Sequence, residues 1–225
     1  MRPAEPRIRP FGDGALIVEW PEAIDPARNR QVHALARLIQ SARKADSGWR
    51  EPVPAYASLL ASFDPLRVDA QAAELGLRTL LRSLTEGEMP PVDEPAALEI
   101  EVRYGGQEGP DLDDVARRTG VGPERVIELH SARTYHAYFL GFSPGFAYLG
   151  TLPNELQLPR RDTPRQRVPA GSVAIAGVQT AVYPLSTPGG WHLIGRTDFT
   201  AWDLDRDPPA VIRPGQAVRF LPLRD

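Results

Sequence analysis

The densest run of residues able to bind or react is Tyr138–Tyr148, which reads Y-F-L-G-F-S-P-G-F-A-Y. Within it, Gly141-Phe142-Ser143-Pro144-Gly145 matches the G-x-S-x-G pattern of a nucleophile elbow, and Asp162 and His192 follow in the order a hydrolase triad would use. Chemistry argues against a serine nucleophile. The residue after the nucleophile donates its backbone N–H to the oxyanion hole, and here that residue is Pro144, which has none. No long helical pattern follows the turn either. The stretch reads instead as a glycine-proline loop carrying aromatic side chains. Phe142, Phe146 and Tyr148 are candidates for a barrel core or for the wall of a ligand pocket.

A second group is basic. Arg160, Arg161, Arg165 and Arg167 cluster between Pro159 and Val168, interrupted by Pro164, and Arg196 follows on a later strand. Guanidinium groups pair bidentately with carboxylate or phosphate, and prolines stiffen the loop that carries them. Pro188-Gly189-Gly190-Trp191 is a tight turn in which the backbone can approach a ligand. Gln179 and Thr180 could meet the polar groups of an amide. The histidines are His33, His130, His136 and His192. They show no H-x-H or H-x-x-x-H spacing, so no metal site is expected. His33 and His130 read as structural, while His136 and His192 are the candidates for general acid–base work.

Composition narrows the field. The 225 residues carry a formal net charge of −3, with 24% charged residues and no cysteine. There is no general basic field for nucleic acid or anionic membrane, and there are no thiolate sites. Lys44 is the only lysine and no G-x-x-x-x-G-K-[ST] occurs, so any ATP is held without a P-loop. No signal peptide or membrane-length apolar run is seen, and a cytoplasmic protein is expected.

These residues need elements to hold them. Residues 1–84 read as an α+β domain. Ile8–Phe11 and Ala15–Glu19 are strands, and Asp25 caps a helix with Pro26 at its first position. Val32, Leu35, Ala36 and Ile39 form that helix's apolar face. Extended segments at Arg50–Val53 and Ser58–Phe63 precede a second helix over Asp69–Ser83, which is expected to bury Ala72, Leu75, Thr79 and Leu80. Residues 85–96, rich in acid and proline, are the expected linker. Residues 97–225 read as mainly β. Leu98, Ile100 and Val102 alternate with Glu99, Glu101 and Arg103. Asp111 and Pro123 start short helices. From Thr134 onward only strands and loops are expected: Tyr135–Phe142, Ser172–Ala176, Thr180–Tyr183, His192–Gly195 and Ala217–Leu221. That pattern predicts a closed or nearly closed barrel.

Taken in order, several segments resemble one family. They are Gly12-Asp13-Gly14-Ala15-Leu16, Tyr56–Leu59, Phe63-Asp64-Pro65, Gly141–Leu149, Pro159–Gly177, Gln179-Thr180, Tyr183-Pro184, Pro188–Thr197 and Arg213–Phe220. The chain resembles the 5-oxoprolinase B-subunit family, also called the KipI or allophanate hydrolase subunit 1 family, over nearly its whole length. The resemblance implies an α+β N-terminal domain followed by a mainly-β, cyclophilin-like barrel. It implies one subunit, inactive alone, of an ATP-dependent enzyme that converts 5-oxo-L-proline to L-glutamate. The implied partners are two further chains of that enzyme, the KipA-like C subunit plus the A subunit, and ATP is the implied cosubstrate of the assembly. With that reaction in view Arg165 and Arg196, and by residue type His136 and His192, are expected to be catalytic. Phe142, Phe146, Tyr148, Arg160, Arg161, Gln179 and Trp191 are expected to bind substrate. The KipI name also implies an alternative, a regulator that inhibits a sensor histidine kinase by binding it. No G-G-S-S-G-S amidase signature occurs, and fold likeness alone supports no prolyl isomerase activity.

Overall fold

The computed structural model describes residues 6–21, 24–44, 48–86 and 96–223. The chain divides into two compact units, Met1–Asp93 and Glu94–Asp225. Of the expected linker, residues 87–95 lie outside the described residues.

The first unit holds strands β1 (Arg7–Pro10), β2 (Ala15–Glu19), β3 (Val53–Pro54) and β4 (Ser58–Ser62), with helices α1 (Pro26–Lys44) and α2 (Ala70–Glu86). The strands form one antiparallel sheet in the order β1-β2-β4-β3. Asp25 caps α1 as expected: its Oδ1 accepts the Ala27 N–H at 2.8 Å. Val32, Leu35 and Ile39 on α1 join Leu16, Val18, Leu59 and Ala61 of the sheet in a single core. The second helix departs from expectation. Ala73 and Leu77 are buried, with Leu80, Leu81 and Leu84 packed against the core, whereas Ala72 and Thr79 are exposed and Leu75 is 63% exposed. Both sets have helical spacing in a leucine-rich segment. Periodicity alone therefore left the phase of the helix open, and packing against α1 and the shared core selected it.

The second unit starts with β5 (Leu98–Tyr104), then α3 (Leu112–Thr119) and α4 (Pro123–Ser131). β6 (Thr134–Leu140) and β7 (Ala147–Gly150) follow, then a 3-10 turn at Asn154–Leu156. β8 (Arg165–Val168), β9 (Ser172–Ala176), β10 (Gln179–Val182), β11 (Thr187–Gly189), β12 (His192–Arg196) and β13 (Ala217–Pro222) complete the chain. A closed barrel runs β10-β7-β6-β13-β5-β12-β9, and β8 and β11 form a separate two-stranded ribbon. The expected α+β unit followed by a mainly-β barrel is what the chain adopts. The short strands β7, β8 and β11 were not expected, because proline and glycine punctuate them; nor was the 3-10 turn.

Strand alternation gives the barrel two faces. Val173, Ile175, Val182, Ile194 and Leu149 point inward and pack with Val115 and Val126 of the helices. Their neighbours Ala174, Ala176, Ala181, Tyr183 and Leu193 point outward into a second apolar cluster, which Val168 of the ribbon covers together with Phe146 and Trp191. The small alanines on this outer face leave room for the rings.

One polar thread runs through the inner core. His130 at the end of α4 is fully buried and stacks on Phe220 with ring centroids 4.7 Å apart. Its Nδ1 accepts the Tyr104 hydroxyl at 2.7 Å, and its Nε2 meets Thr180 Oγ1 at 2.8 Å. Thr180 donates its own proton to the Ala174 carbonyl at 3.1 Å, so the histidine must donate to Thr180 and carries its proton on Nε2. The ring is neutral and satisfied at both nitrogens, and burial lowers its pKa from 6.5 to about 3. In the unfolded chain the same ring protonates near 6.5, so between about 3 and 6.5 the unfolded state binds more protons. Stability is therefore fully present above pH 6.5 and is lost as pH falls toward 3, with a slope of up to about 1.4 kcal/mol per pH unit from this group. Urea titrations at pH 4, 5, 6 and 7 should show that slope, and His130→Gln, which cannot ionise, should flatten it. An unchanged slope in the variant would remove His130 as its cause.

Candidate functional site

The loop between β6 and β7 is a closed turn. Gly141 N–H bonds the Phe146 carbonyl at 3.0 Å, and Phe146 N–H bonds the Ser143 carbonyl at 3.0 Å. Gly145, at φ +76°, is required there: a Cβ would lie 2.9 Å from the Ala201 carbonyl oxygen and from Trp202 Cβ. Phe142 takes a left-handed φ of 68° and stands 61% exposed at the tip. Ser143 thus sits in a strand-to-strand turn. The strand-to-helix elbow that G-x-S-x-G implies is absent here, as the Pro144 argument required.

Beneath this tip lies an aromatic wall on the barrel's outer face. Phe146 makes edge contacts with Phe142, Tyr148, Tyr183 and Trp191 at centroid distances of 5.2, 5.1, 5.3 and 5.6 Å. Tyr148 contacts Trp191 at 6.0 Å and stacks on Phe139 at 4.5 Å. Burial pushes the Tyr183 phenol up to about 12, against the opposing pull of the Trp191 backbone hydrogen bond and of Arg160 and Arg165. Burial raises Tyr148 as well, and again Arg160 opposes it. The arginine loop therefore borders the aromatic wall. Gly189 lets the two meet, because a Cβ there would fall 2.3 Å from the Tyr183 hydroxyl oxygen.

The arginine loop is held by one carboxylate. Asp111 is only 4% exposed, and its Oδ1 accepts Arg161 Nη1 at 2.8 Å and Arg165 Nη2 at 2.7 Å. Its Oδ2 accepts the Leu193 backbone N–H at 2.7 Å, while its own N–H bonds the Leu193 carbonyl at 2.9 Å. Asp111 does stand at the N-cap of α3, but its side chain makes no capping bond; it is spent on β12 and the arginines. Arg161 Nε and Arg165 Nη1 are buried and have no hydrogen-bond partner among the described residues.

Of the sequence-predicted residues, the fold brings together Phe142, Phe146, Tyr148, Trp191, Arg160, Arg161 and Arg165. His192 is fully buried beside the loop, with its Nε2 2.9 Å from the Pro159 carbonyl, so it fastens the residue before Arg160. Gln179 begins β10 opposite Gly150 and Ala176, with its Nε2 buried and unpartnered among the described residues. His136 lies on β6 in edge contact with Tyr138 at 4.9 Å. Arg196, at the far end of β12, is 3.6 Å from Glu108, which also pairs with Arg103 at 3.8 Å, and Arg103 in turn pairs with Asp198. Two members of the cluster were not singled out from sequence. Tyr183 was part of a strand, and Asp111 was a helix cap. The partners of Asp111 lie 50, 54 and 82 residues away, so no local pattern marks its role. Among the described residues no group of three His, Cys, Asp or Glu side chains could hold a metal, and no helix is long and apolar enough to cross a membrane.

Known proteins resemble this chain along nearly its whole length. The Carboxyltransferase domain, subdomain C and D, family profile matches residues 6–212. The B subunit of 5-oxoprolinase from Escherichia coli O157:H7 is 42% identical over 220 residues, covering 96% of this chain and 95% of that one. The B subunit of 5-oxoprolinase from Bacillus subtilis (strain 168) is 38% identical over 223 residues, covering 96% and 92%. The crystal structure of TTHA0988 in space group P212121 superposes with a TM-score of 0.78 at 37% identity. It covers 97% of this chain, which spans only 41% of the length of TTHA0988.

The Asp111 centre makes a stability prediction. Removing the carboxylate strands two partly buried guanidinium groups and a buried N–H. Breaking such a centre costs on the order of 3 kcal/mol. Asp111→Ala should lower the unfolding free energy by that order in urea denaturation followed by tryptophan fluorescence. A loss below about 1 kcal/mol, the range of a surface ion pair, would show that the centre is not cohesive.

Proposed function

On the premise that this chain belongs to the 5-oxoprolinase B-subunit family, we propose that it is one subunit of an assembly that opens 5-oxo-L-proline to L-glutamate with hydrolysis of ATP. The observation that carries this is the near-complete match to relatives bearing that name, at 38% and 42% identity over 96% of the chain. The arginine and aromatic face supports it, since it offers what a small, flat, anionic lactam needs.

The reaction sets the requirements. A lactam carbonyl is resonance-stabilised and resists water. Transfer of a phosphoryl group from ATP to its oxygen releases ADP and makes the ring carbon electrophilic. Water adds there, the C–N bond opens to free the amine, and a second water releases phosphate from the resulting carboxyl group. Negative charge sits on the substrate throughout and grows on the transferring phosphoryl group, so fixed cations and oriented donors are the useful protein groups. In this reading Phe146, Tyr148, Tyr183 and Trp191 seat the ring, and Arg160, Arg161 and Arg165 supply positive charge beside it. His192 positions the loop through Pro159. Arg196 and His136 sit on other parts of the barrel, and the arrangement around them assigns them no step. The A and C subunits of the same enzyme are the proposed partners, and ATP is proposed to bind the assembly without a P-loop in this chain.

The test is reconstitution by omission. With the A and C subunits, ATP and 5-oxo-L-proline, glutamate should form only when this chain is present, and the chain alone should form none. Glutamate formation of equal rate without it, by folded partners, would overturn the reading and favour the KipI-like binding role.

A further inference from the structure

The hydrogen bonds of the Asp111 centre do not balance. Both carboxylate oxygens are engaged, with two guanidinium groups on one and a backbone N–H on the other. The arginines are not used up: Arg161 Nε and Arg165 Nη1 remain buried and without a partner among the described residues. A buried donor left unpaired is costly, and a charged one more so. The charges do not balance either. Two guanidinium cations face one carboxylate, which leaves a single positive charge at a place where the side chains are 31%, 25% and 5% exposed. Water can fill hydrogen bonds but cannot cancel that charge. One monoanion with two acceptor oxygens does both.

We infer that Arg161 and Arg165, held by Asp111, form a binding site for the carboxylate of a small molecule whose ring lies against Tyr183 and Trp191. Within the function proposed above, on which the substrate's identity rests, that group is the carboxylate of 5-oxo-L-proline. The location supports a small molecule. Arg161 N–H bonds the Gly190 carbonyl at 2.8 Å, and Arg165 stands opposite Gly189 on the ribbon. Both arginines are thus fastened to the glycine turn that covers Tyr183 and leads into Trp191. Arg161, Arg165 and Asp111 together carry one net positive charge, which a carboxylate balances, whereas a phosphate dianion would also need the charge of Arg160, which lies beside Tyr148 and Tyr183. Asp111 acts as a positioning residue. It fixes which guanidinium edges are free and ties both to the β12 backbone.

The experiment is an NMR titration of the full chain, following the side-chain Nε–Hε signals of Arg161 and Arg165. 5-Oxo-L-proline should shift both signals saturably. 2-Pyrrolidinone, the same ring without the carboxylate, should bind at least tenfold more weakly. Asp111→Asn and Arg165→Gln should each weaken 5-oxo-L-proline at least tenfold, while Arg167→Gln, on the same ribbon but bonded to Ser186, should leave binding unchanged. Acetate separates this site from the functional reading: it should shift the same signals whatever the enzyme's substrate. No saturable response to either carboxylate would overturn the proposal. So would an equal response to 2-pyrrolidinone, or tighter binding of inorganic phosphate. The ligand comparisons need only the wild-type chain, so a variant that fails to fold does not decide the outcome.

Discussion

The second unit is organised around one buried carboxylate. Asp111 ends the loop after β5, starts α3, pairs with the β12 backbone at Leu193 and holds the two arginines of the loop before β8. A buried carboxylate is expensive, and excellent geometry with every oxygen occupied is what makes it tolerable. In return the charge joins segments that are far apart in sequence. The same loop is also fastened by the Leu158–Gly177 bridge, by Pro159 held by His192, by the Arg161–Gly190 backbone bond and by the pairing of β8 with β11. The loop is thereby tied to the β12 strand of the barrel, and its guanidinium groups are held in one arrangement. Fixed charge of this kind is what makes electrostatic recognition effective, since little reorganisation is left to do.

Alternation along β9, β10 and β12 divides the work between the two faces. Inward residues build the core and enclose the His130 thread. Outward residues build a platform for the aromatic wall. Thr180 and Ala181 are neighbours in sequence, yet one completes the histidine's hydrogen bonds and the other floors the ring cluster. A shift of register by one residue would bury rings in the barrel and expose threonine and valine, so the inner core also specifies the outer site. The closed barrel is the reason the site is rigid, because no edge strand in it is left free to slip.

Much of this was legible in the sequence, and the illegible part has a physical explanation. The alternation of Leu98–Arg103, the Asp25–Pro26 helix start and the Pro123 helix start are local signals, and each element stands where it was expected. The aromatics of Gly141–Tyr148 and the arginines before β8 were marked by type and density, and they do meet. What the sequence did not mark is the element that brings them together. Asp111 looks like a helix cap because it follows Gly-Pro and precedes an amphipathic helix, and only the chain's return at Leu193 reveals its other duty. The phase of α2 is hidden similarly: with leucines at 75, 77, 80, 81 and 84, the packing surface chooses the face. His192 illustrates a further limit, since residue type suggests an acid–base group but does not announce its burial or the bond of its Nε2 to the Pro159 carbonyl.

The division of labour in a multi-subunit enzyme follows from which groups here are still available. His130 is neutral and bonded at both nitrogens, whereas His192 is enclosed with Nε2 on a carbonyl and its buried Nδ1 without a partner among the described residues. Burial raises the phenols of Tyr148 and Tyr183, which keeps them protonated and makes them donors instead of bases. What this chain presents among its described residues is a positive charge fixed by Asp111 beside an aromatic wall. Under the proposed function, lactam opening needs both a held substrate and groups that activate water and transfer phosphoryl. In that reading this chain supplies the first, and the other subunits of the proposed assembly bring the second to it across an interface.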